Sequence, residues 1–172
     1  YKVINKIHQL NSDLIDQIAA GEVVDRPASV VKELIENSLD AHADQIEVKI
    51  IHGGHDLIHV SDNGCGMNKD DLRLAFQRHA TSKIENLDDL NNIKSLGFRG
   101  EAIPSIASIS KMSARSSENG EKGYEIKVDG GDEKSLMPSS IIKGSTFKVK
   151  NIFYNTPARR KFLKKPATEQ AY

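Results

Sequence analysis

The sequence predicts an α+β fold, with helices on one face of a mixed sheet. Three observations carry that expectation. Pro27–Ala41 has the period of an amphipathic helix. Two short alternating stretches flank Gly53-Gly54 and read as an antiparallel hairpin. More alternating stretches follow late in the chain, after further helical ones.

Bulk composition sets the limits. The 172 residues are 38% hydrophobic and 28% charged, enough for one domain with a real core. Formal net charge is zero, so no general attraction to polyanions or membranes follows. The charge is uneven, however. From Lys143 onward, Lys143, Lys148, Lys150, Arg159, Arg160, Lys161, Lys164 and Lys165 face one acid, Glu169. Cys65 is the only cysteine, so no internal disulfide forms; a reducing compartment fits. No apolar run is long enough for a membrane helix, and no signal-peptide pattern occurs. The chain starts at Tyr1 and stops just past a basic run, as a piece of a longer protein would.

The elements follow in order. Asn11–Ala20 reads as a short helix, capped at Asn11 or Ser12 and ended by Gly21. In Pro27–Ala41, Val30, Val31, Leu34, Ile35 and Leu39 share the apolar face, and Pro27 suits the first turn. Glu33, Glu36, Asn37 and Asp40 lie opposite. A solvated acidic surface would give the same pattern, but Glu33 and Asn37 stand one turn apart. A general base and a metal-ligating amide could therefore share one pocket. Ile46, Val48 and Ile50 alternate with Glu47 and Lys49 as a half-buried strand, and Leu57–Val60 forms its partner. Asp70–His79 is an expected helix with Leu72, Ala75 and Phe76 inward. Ala80–Phe98 has no clear period beyond a turn at Leu87–Leu90; such connections are functional or mobile. Gly100–Ile109 reads as a helix whose Pro104 belongs in the first turn. Lys111–Arg115, Tyr124–Asp129 and Thr146–Lys150 are three more strands, punctuated by Gly130-Gly131, Pro138 and Gly144. Ala158–Leu163 is a short helix.

Neither a P-loop nor a G-x-G-x-x-G fingerprint is present. Three other stretches suit a nucleotide. Asp62-Asn63-Gly64-Cys65-Gly66-Met67 follows a strand. Asp62 can accept from an exocyclic amine, and the glycines let a flat ring approach; a plain Asn-Gly turn is the alternative. Ser95–Ala102, SLGFRGEA, is a glycine-bracketed loop entering a helix, where free N–H groups bind phosphate. The same pattern occurs as mere punctuation. Arg78–Lys83, RHATSK, carries hydroxyls and a lysine suited to a lid, or to a polar loop. Cys65 lacks a Cys/His partner set, which excludes a zinc site.

Taken together, Glu33/Asn37, DNGCGM, RHATSK and GFRGEA resemble the GHKL ATPases of gyrase, histidine kinases and chaperones. Within them the chain resembles the MutL family of DNA mismatch repair proteins. Gln17–Ala41, Gly97–Ala102 and Phe153–Leu163 (FYNTPARRKFL) look like that family's signatures almost letter for letter. The likeness runs from about Leu10 to the end.

The resemblance implies a two-layer GHKL (Bergerat-type) α/β sandwich, with a mixed, mostly antiparallel sheet and helices on one face. It implies Mg²⁺-dependent ATP hydrolysis, with ATP between helices and sheet. Glu33 matches the general base and Asn37 the Mg²⁺ ligand. Asp62 matches the carboxylate that reads adenine, with Gly66 and Met67 beside it. Gly97, Phe98, Arg99, Gly100, Glu101 and Ala102 match the phosphate loop, and Thr81, Ser82 and Lys83 the lid. The family's Gly-Thr pair appears here as Gly144, Ser145 and Thr146, leaving two candidate hydroxyls. Leucine usually follows GFRGEA; here Ile103-Pro104 does. The family also implies a second domain that supplies a lysine to the γ-phosphate, and a C-terminal dimerisation region. Residues 1–172 are expected to be the ATP-binding subdomain alone, weak or inactive as an ATPase by itself. Implied partners are DNA, mismatch-recognition and other repair proteins, and a second copy of the full-length protein; the implied location is cytoplasmic, nucleoid-associated if bacterial. The basic tail, with Arg159, Arg160 and Lys161, is a candidate for weak, non-specific DNA contact. A nucleotide-binding switch with negligible turnover and a gyrase-like ATPase remain as alternatives, and FYNTPARRKFL speaks against the second.

Overall fold

A computed structural model describes residues 24–77 and 99–172. The helix expected at Asn11–Ala20, the RHATSK stretch and the connection Ala80–Phe98 lie outside them.

Helix α1 (Pro27–Asp40) starts on Pro27, as the sequence predicts. Its buried stripe runs Pro27, Val30, Leu34 and Ser38, an i, i+4, i+8 series after the first turn. Full burial of Val30 and Leu34 stabilises the fold by roughly 1.5–3 kcal/mol each. Leu39, assigned to the apolar face from periodicity, is instead 57% exposed. The helix stripe drifts, and Ser38 takes the inward position at the last turn.

Strands β1 (Ile46–Ile51) and β2 (Leu57–Asp62) form the expected antiparallel hairpin. Helix α2 (Lys69–Ala75) is capped by Asn68, whose side chain accepts from Asp71 N at 2.9 Å. It buries Leu72 and ends short of the predicted His79. Helix α3 (Arg99–Ser108) runs through Pro104, its sixth residue, rather than starting there. The proline removes the hydrogen bond to the Gly100 carbonyl. Every residue from Ala102 to Ser110 is buried, and the helix continues past that gap to Ser108.

Strands β3 (Lys111–Ser117), β4 (Gly123–Asp129), β5 (Asp132–Ser139) and β6 (Gly144–Lys150) complete the sheet. β5 is missing from the sequence reading, which took Gly130-Gly131 and Pro138 as loop. Gly130-Gly131 is the two-residue turn of the β4–β5 hairpin. Pro138 is tolerated because β5 is an edge strand, where a missing N–H breaks no ladder. Helix α4 (Pro157–Arg160) is shorter than the expected Ala158–Leu163, and α5 (Pro166–Gln170) was not foreseen.

The strand order is β1-β2-β6-β3-β4-β5, and every pairing among the described residues is antiparallel. The last strand, β6, thus lies between β2 and β3. Cross-strand register divides the inner face into rows. One row holds Val60, Phe147, Ala114 and Ile126; the next holds Ile58, Val149, Met112 and Val128. All eight are buried, and with α1, α2 and α3 they make the core. On edge strand β1 only Ile46 is half-buried; Val48 and Ile50 of the predicted buried face are exposed. They lie at the sheet margin. The outer face carries polar and charged side chains, as antiparallel sheets with one solvated face do.

Candidate functional site

Above the two apolar rows the inner face becomes polar. Asp62 on β2 pairs with Ser145 on β6, and Ser145 pairs with Ser116 on β3. Three polar residues therefore stand side by side at one end of the core. Insertion of β6 between β2 and β3 brings them together.

Asp62 is held on both oxygens. Oδ1 accepts from Gly64 N at 2.9 Å, and Oδ2 accepts from the Ser38 hydroxyl at 2.7 Å. Ser38 Oγ also lies 3.1 Å from the Leu34 carbonyl. An ionised carboxylate has about four lone-pair sites, so Asp62 keeps acceptor capacity for a ligand. Ser116 is fully buried, and its Oγ accepts from Met67 N at 2.7 Å. The same oxygen lies 2.7 Å from Ser145 Oγ and 3.1 Å from the Gly144 carbonyl.

The loop after β2 is tied to the end of α1. Cys65 N donates to Ala41 O, and Asn63 Oδ1 accepts from Asp44 N and Gln45 N. Close approach explains two glycines here. A Cβ on Gly66 would sit 2.0 Å from Ser117 O, and one on Gly144 2.0 Å from Asp62 O. Both also have positive φ, 69° and 129°, which disfavours any side chain.

Glu33 and Asn37 lie on α1 about 100° around from the Leu34–Ser38 stripe, one turn apart. Both are half-buried. Among the described residues, Asn37 Nδ2 is buried without a hydrogen-bond partner. This suits an amide whose oxygen serves a cation. Among the described residues no three His, Cys, Asp or Glu side chains gather as a metal cage.

The two candidate hydroxyls separate cleanly. Ser145 faces the helices beside Asp62. Thr146 points to the outer face, where its Oγ1 lies 3.0 Å from Ser61 Oγ. Thr146 is therefore not with the cluster, because successive strand residues face opposite sides. Of the proposed phosphate loop, Arg99–Ala102 form the start of α3, and Ala102 is buried. Gly97, Phe98, Thr81, Ser82 and Lys83 lie outside the described residues. In the basic tail Arg160 and Lys161 are exposed. Arg159 is half-buried and its Nη1 donates to Val24 O at 3.4 Å, a structural contact.

Sequence reasoning missed Ser38 and Ser116. Both break an apolar pattern: Ser38 continues the Val30–Leu34 series, and Ser116 continues Met112–Ala114. A serine at an inward position was the available signal. Two surface cavities, about 200 and 290 Å³, lie elsewhere; Tyr154 and Arg160 border the first, Tyr124 and Lys122 the second. The Asp62 cluster is preferred as the site because its polar groups converge on the core's own rim.

Residues 25–141 match the family model described as histidine kinase-, DNA gyrase B- and HSP90-like ATPase. The DNA mismatch repair protein MutL of Caldanaerobacter subterraneus subsp. tengcongensis is 53% identical over 170 residues, 98% of this chain and 29% of that protein. The chain thus spans under a third of the length of such curated relatives. A crystal structure of the N terminal domain of a DNA repair protein superimposes with a TM-score of 0.73 at 36% identity, over 89% of this chain and 45% of that one. The Aquifex aeolicus MutL ATPase domain complexed with ADP gives 0.65 at 35% identity, over 87% and 52%. The architecture is accordingly the two-layer GHKL sandwich. The chain belongs to the histidine kinase-, DNA gyrase B- and HSP90-like ATPase family, on its MutL branch.

Proposed function

We propose that this chain binds ATP between its helices and sheet and hydrolyses it within a MutL-type mismatch repair protein. The observation that carries the proposal is the polar row Asp62–Ser145–Ser116 closing an otherwise apolar sheet face. A purine fits such a place: its faces lie on apolar surface and its edge meets fixed acceptors and hydroxyls. Asp62 accepts the adenine amine, and the loop through Gly66 and Met67 backs the ring. The N-terminal turn of α3, with Gly97–Ala102, holds phosphate through backbone N–H groups. Thr81, Ser82 and Lys83 close over it. Glu33 orients and deprotonates the attacking water, one turn of α1 from Asn37. Asn37 would hold Mg²⁺, which would supply positive charge against the phosphates. Positioning and electrostatics supply most of the rate, so turnover by residues 1–172 is weak without the second domain. The full-length protein dimerises, signals to mismatch-recognition and other repair proteins, and works in the cytoplasm, on the nucleoid if bacterial.

DNA contact has a specific observation behind it, beyond the tail. The outer sheet face carries Lys49, Lys111, Arg115, Lys127, Lys148 and Lys150 against Glu47, Glu125, Asp129 and Asp132. Lys111 and Lys150 are direct cross-strand partners, a like-charge pairing that costs stability and is offset in part by Asp129 opposite Lys111 on β4. Exposed Arg160 borders the same surface cavity as Lys111. Such a face binds phosphate without reading sequence.

Titration with a non-hydrolysable ATP analogue and Mg²⁺ tests the nucleotide reading. Saturable 1:1 binding, with single-turnover hydrolysis of ATP by the full-length protein, is the expected result. Absence of any heat or stabilisation by the analogue refutes it. Binding without single-turnover chemistry favours the switch alternative. Identity of 53% to a protein called MutL weighs against the gyrase-like one.

A further inference from the structure

Cross-strand register divides the outer sheet face into rows, as it does the inner one. The central row reads Lys49 on β1, His59 on β2, Lys148 on β6, Ser113 on β3 and Lys127 on β4. It holds no carboxylate. The acids stand in the rows on either side, Glu47 and Glu125 in one, Asp129 and Asp132 in the other. The ion pairs this face makes among the described residues are Arg115–Glu125 at 3.4 Å and Lys127–Glu125 at 3.8 Å. Neither involves Lys49 or Lys148.

His59 is the group in this row whose charge changes near neutral pH. It stands directly between Lys49 and Lys148, one strand spacing of about 4.8 Å from each. The other charged groups around it are Glu47 on β1, Lys150 on β6 and Arg115 on β3. Burial and then Lys148 hold its pKa below the ordinary value of 6.5; Lys49 and Arg115 add to this, and Glu47 opposes it. The free protein therefore keeps the ring neutral between two cations. A phosphate seated over the row reverses that balance. Its negative charge favours imidazolium beneath it, and the charged ring can donate to the same anion as the two lysines.

We infer that His59 is the central phosphate contact of this face and that it takes up a proton from solvent when duplex DNA binds. The inference rests on the proposed DNA contact of the outer face and adds a pH dependence to it. The phosphodiesters of DNA stay ionised across the neutral range, so the proton is gained by the protein.

Fluorescence anisotropy of a labelled duplex with the full chain, from about pH 8 to about pH 5.5 at fixed low salt, tests it. Affinity should rise about tenfold over that range, the gain given by a tenfold change in proton affinity at one group. His59→Gln keeps a planar polar side chain that cannot take the proton, and should lose most of the rise. His59→Arg carries its charge at every pH; it should bind more tightly than the parent at the upper end and also lose the rise. In an NMR titration the His59 pKa should climb when the duplex is added. A parent affinity that ignores pH, a rise retained in His59→Gln, or a His59 pKa unmoved by saturating duplex overturns the inference while leaving the DNA contact standing. If Lys49→Glu with Lys148→Glu leaves duplex binding undiminished, DNA lies elsewhere and the inference falls with that placement.

Discussion

Asp62→Asn is the sharpest perturbation of the proposed base site, because the structure constrains both ways the new amide can sit. In the first, its oxygen keeps the Gly64 N–H and its NH2 faces Ser38 and the base. Ser38 survives this, since it can donate to Leu34 O at 3.1 Å and accept from the amide. The adenine amine then meets a donor instead of an acceptor. In the second, the oxygen faces Ser38 and the base, and the NH2 meets the Gly64 N–H donor to donor. A partly buried donor loses its partner in either arrangement, which costs about 1–3 kcal/mol. ATP affinity should therefore fall by roughly 5- to 150-fold. Folding should suffer less in the first arrangement, where both existing contacts persist in neutral form at about 1 kcal/mol weaker each. Isothermal titration against the ATP analogue, beside a thermal melt, separates the two costs. An affinity within twofold of the parent, with an unchanged midpoint, refutes the assignment of Asp62 to the base.

Three other predictions follow from named residues. Glu33→Ala in the full-length protein should cut turnover about 10²- to 10⁴-fold while leaving ATP affinity nearly unchanged, because a general base acts on water; loss of turnover in Glu36→Ala and not in Glu33→Ala would reverse the assignment. His59, on the outer face, is held below its ordinary value near 6.5 by burial and by Lys148, with Lys49 and Arg115 adding to Lys148. The unfolded chain thus binds the proton more readily, so stability contributed by neutral His59 is present above pH 6.5 and is lost as pH falls through the folded value. Lys148→Ala should raise the His59 pKa in an NMR titration, and a shift downward or none would contradict the charge assignment. Duplex DNA should bind weakly at low salt; three or so phosphate contacts would give a log–log salt slope near about −3. Lys49→Glu with Lys148→Glu should abolish that binding, and alanine at Arg159, Arg160 and Lys161 should reduce it, with ATP affinity intact in both; undiminished retention would move the contact off this surface.

The legible parts of the chain were those with strong period. α1, the β1–β2 hairpin and β3, β4 and β6 each declare themselves by spacing of apolar residues, and tertiary packing agrees with them except at Leu39, Val48 and Ile50, which are exposed. β5 was hidden because its alternation is weak, with charged residues at Asp132, Glu133 and Lys134 and a proline at 138. An edge strand needs no continuous apolar face, so periodicity is the wrong detector; the Gly130-Gly131 turn was the better one. Pro104 misled for a related reason. Proline rules describe an isolated helix, whereas α3 is enclosed on all sides and its burial outweighs one missing hydrogen bond.

The two hydroxyls after Gly144 show where sequence reasoning stops and geometry begins. Both Ser145 and Thr146 could have served, because type and spacing are the same for either. Register decides: Ser145 lies in the row of Asp62 and Ser116, and Thr146 in the row of Ser61 and Arg115 on the opposite face. A strand shifted by one residue would exchange them and carry Phe147 and Val149 out of the core at the same time. The apolar rows therefore fix the polar one. Burial of Phe147 and Val149 in the core beside β2 holds Ser145 at the site, so the hydrophobic pattern that folds β6 also positions its one inward hydroxyl.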